Sequence, residues 1–233
     1  MIQCGGVTIS GATTVNLGWE PQWVLYKKTN GTSNWAILDS MRGWTADGVI
    51  AQINPNLNNA EASGSGYEKL TSTGFVMQNY TNGNTFIYMA IRRPNMATIT
   101  DATEVFFPAY SSSSPWDITV TTGFPVDLSI HAEVTSTGNK AVNDRLRGSS
   151  QTYSKHVWLN NDNSAAVHAE GTAGSNGLGF DNNTGFVNHL VGGNSGIFWN
   201  WRRAKGFLDV VAYTGTGSAL NVSHGLAVAP EMM

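Results

Sequence analysis

The chain has 233 residues, only 12% of them charged, and a formal net charge of −3. That balance supplies no basic surface for nucleic acid, and no apolar run reaches the ~20 residues that a bilayer-spanning helix needs. A hydrophobic fraction of 41% with 10% aromatics excludes a disordered chain, while 26 glycines among many Asn, Ser and Thr favour strands joined by tight turns.

Residues 1–10 lack both a basic start and an apolar core, so they do not read as a secretory signal. A turn at Leu17-Gly18-Trp19-Glu20-Pro21 leads into a strand over residues 23–27. Asn30-Gly31 then turns the chain into a strand over residues 35–38. Residues 49–62 have some helical potential, but Pro55 and the neighbouring asparagines interrupt it and no long helix is expected. After Asn82-Gly83-Asn84, Ile87, Met89 and Ile91 alternate with Tyr88, Ala90 and Arg92, the pattern of a strand whose apolar face is buried. Val126, Leu128 and Ile130 alternate with Asp127, Ser129 and His131 in the same way. Beyond Gly192-Gly193-Asn194, Ile197, Trp199 and Trp201 keep one face apolar and Phe198, Asn200 and Arg202 keep the other mixed. A last strand is expected over residues 208–213, before the turn Thr214-Gly215-Thr216-Gly217.

These elements repeat. Asp39-Ser40-Met41-Arg42-Gly43 returns as Asp144-Arg145-Leu146-Arg147-Gly148, and the Gly18 turn returns at Gly123, both offset by 105. Ala60-Glu61 matches Ala169-Glu170, Ser72-Thr73-Gly74-Phe75 matches Asn183-Thr184-Gly185-Phe186, and Ile91-Arg92-Arg93 matches Trp201-Arg202-Arg203, at offsets of 109, 111 and 110. Five matches in one order mark a duplication with small loop insertions. Short strands at this spacing predict an all-β chain of tandem β-sandwich modules, jelly-roll or lectin-like, of about 105 residues each. The first module covers residues 1–96 and the second 97–205. Residues 206–233, where Ser223-His224-Gly225-Leu226 and Pro230 echo the opening of the first, form the opening strands of a third, incomplete module. On this reading the chain is a piece of a longer array.

The run Gly18-Trp19-Glu20-Pro21-Gln22-Trp23-Val24-Leu25, then Trp35 and Leu38-Asp39-Ser40-Met41-Arg42-Gly43, then Ser72-Thr73-Gly74-Phe75 and Tyr88-Met89-Ala90, resembles the uncharacterised repeat modules of phage tail and virion proteins. Marine tailed phages carry such modules in particular. The resemblance extends over nearly the whole chain, through Gly123-Phe124-Pro125-Val126-Asp127-Leu128 and the segment from Phe207. It implies a structural component of a virion appendage, a tail fibre or other tail or surface protein, involved in host attachment. The implied partners are other virion proteins, further copies of the chain (a trimer favoured) and a host-surface glycan; the implied location is the virion, assembled in the host cytoplasm. Cys4, the one cysteine, leaves no internal disulfide, which suits folding in a reducing cytoplasm and release by lysis. The alternatives are a lectin-like receptor-binding module and, behind it, a carbohydrate-active depolymerase.

The chemistry-bearing residues point away from an enzyme. The five histidines show no HExxH and no i, i+4 pair, so neither a metal site nor a hydrolase triad is expected. His131 is expected on a solvated or hydrogen-bonded strand face. Asp39, Glu61, Asp144 and Glu170 are the best-placed carboxylates for glycoside hydrolysis, yet each recurs in both copies, as a structural turn residue also would. Asn160-Asn161-Asp162-Asn163 and Asp181-Asn182-Asn183 carry oxygens suited to calcium, but lack EF-hand spacing and read as turns. No catalytic residue, cofactor or metal is therefore expected. Arg42 and Arg147 follow a strand in the same turn and are candidate glycan or interface contacts, or loop pins with Asp39 and Asp144. Trp44 and Trp158, near polar loops, are the candidate sugar-stacking aromatics; Trp199 and Trp201 are expected in the core. Arg92, Arg93, Arg202 and Arg203 close the last strand of each copy, where they read as module-junction contacts or as edge-strand charge.

Overall fold

In a computed structural model of the chain, the described residues are 1–93, 96, 98–111, 117–134, 140–147, 149–150, 153–159, 166–169, 177–179, 185–189, 195–213 and 215–233. They are nearly all β and antiparallel, and divide into two compact units. Met1–Asn95 with Val211–Ser223 makes unit 1; Met96–Val210 with His224–Met233 makes unit 2.

Unit 1 holds β1 (Ile2–Thr8), β2 (Thr13–Asn16), β3 (Pro21–Lys28), β4 (Trp35–Asp39), β5 (Val49–Gln52), β6 (Ala62–Ser65), β7 (Glu68–Thr71), β8 (Gly74–Met77) and β9 (Thr85–Arg92). They form a four-stranded sheet in the order β1-β9-β3-β4, a three-stranded sheet β2-β8-β7 and the hairpin β5-β6. The segment around Pro55, read above as no long helix, joins the two strands of that hairpin. Phe75 on the three-stranded sheet meets Tyr88 on the four-stranded sheet edge to face at 5.5 Å, and Trp44 meets Phe75 at 6.1 Å. Val24, Leu38, Leu70, Met77 and Ala90 are fully buried around these rings, so burial of apolar area between the sheets drives the folding of this unit.

Unit 2 holds β10 (Phe106–Ser111), β11 (Asp117–Thr121), β12 (Leu128–Glu133), β13 (Lys140–Asp144), β14 (Ser149–Ser150), β15 (Tyr153–Trp158), β16 (Ala166–Ala169), β17 (Gly177–Gly179), β18 (Gly185–His189) and β19 (Gly196–Trp201). Its large sheet runs β10-β19-β12-β13-β15-β14, with β16 on β15, and β11-β18-β17 makes a second sheet.

Strand pairing carries the duplication. Trp23 lies opposite both Asp39 and Ile91, and Leu128 lies opposite both Asp144 and Trp201. Asn16 pairs with Gly74 and Thr121 with Gly185. Gly18 and Gly123 both have a left-handed backbone, at φ 75° and 82°, which is why a glycine recurs in that turn. One of the sequence matches is misaligned. Val49 pairs with Ser65 and Tyr153 with Ala169, so Ala169 corresponds to Ser65 rather than to Ala60. Glu170 itself lies outside the described residues, as do Gly148, Asn160-Asn161-Asp162-Asn163 and Asp181-Asn182-Asn183.

One expectation needs correction. Residues 208–213 form no strand: Leu208 makes a single bridge to Ala204 around a tight turn, and the Asp209 side chain is taken by Arg203 and by the Gly225 N–H. Residues 206–210 and 224–233 group with unit 2, and 211–223 with unit 1.

Candidate functional site: the open sheet faces and the polar groups behind them

The alternation along the strands marks two faces correctly but assigns them in reverse. On β9 it is Phe86 and Ala90 that are buried, whereas Ile87 is 46% exposed and Met89 and Ile91 are half-buried. On β12 and β19, Ser129, His131, Phe198 and Asn200 are buried, while Leu128, Ile130, Ile197, Trp199 and Trp201 are half-buried on the other face. Trp199 and Trp201 are therefore not core residues.

Register assembles the half-buried residues into one open face per unit. In unit 1, Trp23, Leu25, Trp35, Ile37, Ile87, Met89 and Ile91 share it, with Lys27 and Asp39 as its polar members. Ile2 and Cys4 of β1 extend it at the edge and are exposed. In unit 2, Leu128, Ile130, Trp199, Trp201 and Val142 occupy the corresponding positions, and the Phe106 ring lies 5.4 Å from that of Trp201. A sheet face left to water is normally polar, and a broad apolar one marks an interaction surface.

The closed face of unit 2 is correspondingly polar. Ser129 donates to Asn200 Oδ1 at 2.8 Å, and Asn200 Nδ2 donates to the Phe107 carbonyl at 2.9 Å. Just before β12, the fully buried Asp127 takes Arg145 Nε on Oδ1 at 3.2 Å and the Arg203 N–H on Oδ2 at 2.8 Å. Arg203 Nε in turn donates to Asp209 at 2.6 Å, whose other oxygen accepts the Gly225 N–H. These charges lie out of water and are held by charge-assisted bonds. His131 contradicts the expectation of a solvated or hydrogen-bonded ring. It is 2% exposed, stacked on Phe198 at 5.6 Å, and neither ring nitrogen has a hydrogen-bond partner. Burial accordingly pushes its pKa down to about 4.

Unit 1 has a different buried polar group. Tyr26, at the position of His131, donates to Glu68 Oε1 at 2.6 Å, and Tyr80 donates to the same oxygen. Glu68 is fully buried and its Oε2 has no partner. Desolvation raises the Glu68 pKa, partly offset by the two phenol donors, and burial next to Glu68 raises those of Tyr26 and Tyr80.

The sequence-derived candidates fall out as follows. Trp44 is 0% exposed, with Nε1 donating to the Glu68 carbonyl at 3.3 Å, so it offers no face for a sugar and is a core residue. Trp158 is half-buried, 4.2 Å edge-on to the buried His156. Arg42 is exposed and pairs with Glu61, while Asp39 caps the following turn by accepting the Met41 N–H at 2.7 Å. Arg147 pairs with Asp144 at 3.3 Å, and Asp144 also accepts the Arg147 N–H. Arg92 is exposed, and Arg93 and Arg202 are half-buried; the Arg92 and Arg202 N–H groups donate to Met1 and Val105 at matching ends of the two sheets. Arg203 is buried, with its Nε donating to Asp209 at 2.6 Å. The sequence reading missed Asp127, Arg145, Glu68 and Tyr80. Parity with His131 and Ser129 was the available signal for Asp127; nothing in the sequence alone marks the other three. Among the described residues, no group of three or more His, Cys, Asp or Glu is placed to hold a metal ion.

Residues 5–94 match the model of a domain of unknown function, DUF7483, a span running from within β1 to just past the end of β9. No curated protein and no solved structure matches the chain.

Proposed function

We propose that the chain is a structural component of a phage virion appendage, a tail fibre or another tail or surface protein, built of tandem β-sandwich modules whose open faces pack on neighbouring protein. One observation carries the assembly reading. Both units carry large apolar side chains on the outward face of their main sheet, and unit 2 does so while burying Ser129, His131, Asn143 and Asn200 behind them. A sheet built this way is stable in water only at a cost, and covering the open face recovers the hydrophobic term. The equivalent placement of Met89 and Trp199 in the two units supports a surface used repeatedly along an elongated body. The virion assignment rests on the resemblance of the repeat motifs.

Sedimentation of the chain tests the assembly. The chain should associate through these faces, and Met89→Lys with Trp199→Lys should weaken that association, leaving nothing larger than a dimer, without lowering its melting temperature, since both side chains lie outside the core. A monomeric wild-type chain at high micromolar concentration would refute the proposal. Antibody raised against the chain should label an appendage of purified virions; label confined to the soluble fraction of the lysate would remove the virion reading.

A further inference from the structure

The edge of the unit 1 sheet carries an inference separate from its face. β1 is the outermost strand, and among the described residues nothing pairs on its other side. In an antiparallel pair, successive residues point their N–H and C=O alternately toward and away from the partner strand. Arg92 donates to the Met1 carbonyl and Ile9 donates to the Asn84 carbonyl. These bonds, with the register Ile2 opposite Ile91, set Gln3, Gly5 and Val7 toward β9. Ile2, Cys4, Gly6 and Thr8 therefore present their backbone groups to the free edge, and all four are exposed.

Nothing in β1 closes that edge. Its sequence, IQCGGVT, has no charge and no proline, and its pairing with β9 runs without a bulge. Edge strands normally carry such devices because open backbone groups recruit another strand. Unit 2 has one. β10 is the corresponding edge, and Arg202 donates to the Val105 carbonyl just as Arg92 does to that of Met1. Pro108 stands opposite Trp199 where Cys4 stands opposite Met89, so the missing N–H of Pro108 falls on the free edge. One edge is blocked and its counterpart is open.

We propose that β1 is a homotypic docking edge, pairing antiparallel with β1 of a second copy about a two-fold axis through Gly5, so that two four-stranded sheets become one. Self-pairing fits the chemistry of the strand. It is uncharged, so two copies meet without repulsion, and β10 of a second copy, lacking a donor at Pro108, is the poorer partner. With Ile2 opposite Thr8 of the second copy and Cys4 opposite Gly6 of the second copy, all seven residues overlap and every free-edge residue meets another. That register gives on the order of eight main-chain hydrogen bonds and a closed, isologous contact. The apolar open faces, extended by Ile2, become continuous across the joint. This inference does not depend on the virion reading.

Two variants test it. Gly6→Cys places a thiol opposite the native Cys4 of the second copy, at a Cα separation of about 5.5 Å, within disulfide range; a Cβ at Gly6 meets nothing closer than the Phe86 carbonyl at 3.6 Å. Mild oxidation should give a disulfide-linked dimer on a non-reducing gel, and adding Cys4→Ser to the same chain should abolish it. Cys4→Pro copies the natural block of β10 and should weaken dimerisation by on the order of tenfold or more, with the melting temperature retained. Absence of the cross-link, a cross-link that survives Cys4→Ser, or folded Cys4→Pro chain that dimerises undiminished overturns the proposal. Should Cys4→Pro fail to fold, the cross-link alone decides. Edge and face remain distinguishable: Met89→Lys with Trp199→Lys should leave the cross-link in place.

Discussion

His131 shows how one buried side chain sets a pH response. The ring is stacked on Phe198 with no hydrogen bond to either nitrogen, and its pKa lies near 4 against 6.5 for free imidazole. The unfolded chain therefore takes up the proton first as pH falls. The contribution of His131 to stability is complete above pH about 6.5 and is lost progressively toward pH about 4, to a total of about 3 kcal/mol. Tyr26 fills the same position in unit 1, so an aromatic six-membered ring fits there. His131→Phe should flatten the dependence of urea stability on pH across this window while leaving stability at pH 7 nearly unchanged. An undiminished acid slope in the variant would assign that slope to other groups.

At the scale of elements, the most informative residues are two glycines that the repeat pairs. Gly74 opens β8 opposite Asn16, and Gly185 opens β18 opposite Thr121. A Cβ on Gly74 would collide with the Val15 carbonyl, and one on Gly185 with that of Val120. The strand crosses too close to its neighbour for any side chain, and only glycine meets the requirement. Gly74→Ala and Gly185→Ala should each cost about 1–3 kcal/mol, and equal losses in chemical denaturation would mark the β2–β8 and β11–β18 pairs as the same device. These backbone demands are why the duplication is readable in the sequence: a turn at Gly18 and Gly123, or an approach at Gly74 and Gly185, tolerates one residue type. The covered face is a different matter. Leu128 and Ile130 alternate with Ser129 and His131 whichever side is closed, because period-two alternation reports two faces and not which one another layer covers. The closing layer of unit 1, with Phe75 and Trp44, comes from segments distant in sequence. Trp44 follows a polar turn and looks like a loop aromatic, yet its indole fills the space between the sheets. Asp127 looks like a solvated strand residue, yet Arg145 and Arg203 reach it from two other segments.

The whole molecule combines two units of one pairing pattern with opposite electrostatic requirements. In unit 1, burial raises the pKa of Glu68 above its usual 4.5. The folded unit thus favours the neutral acid, and the stabilisation is complete below pH about 4.5 and lost as pH rises through the raised value. In unit 2, the lowered pKa of His131 has the reverse effect, removing stability as pH falls below about 6.5. Acidification from neutrality should therefore strengthen unit 1 and weaken unit 2. Calorimetry should resolve this as two transitions that move in opposite directions as pH falls toward 4.5, the falling one belonging to unit 2. Glu68→Gln should raise the unit 1 transition at pH 7 and remove its movement with pH, because the amide keeps the phenol contacts without a buried charge. His131→Phe should hold the unit 2 transition in place. With both substitutions the two transitions should keep a fixed spacing between pH 7 and pH 4.5. A spacing that still changes with pH in the double variant would locate the pH dependence in other groups, with the buried Asp127–Arg145 and Arg203–Asp209 pairs of unit 2 the next to test.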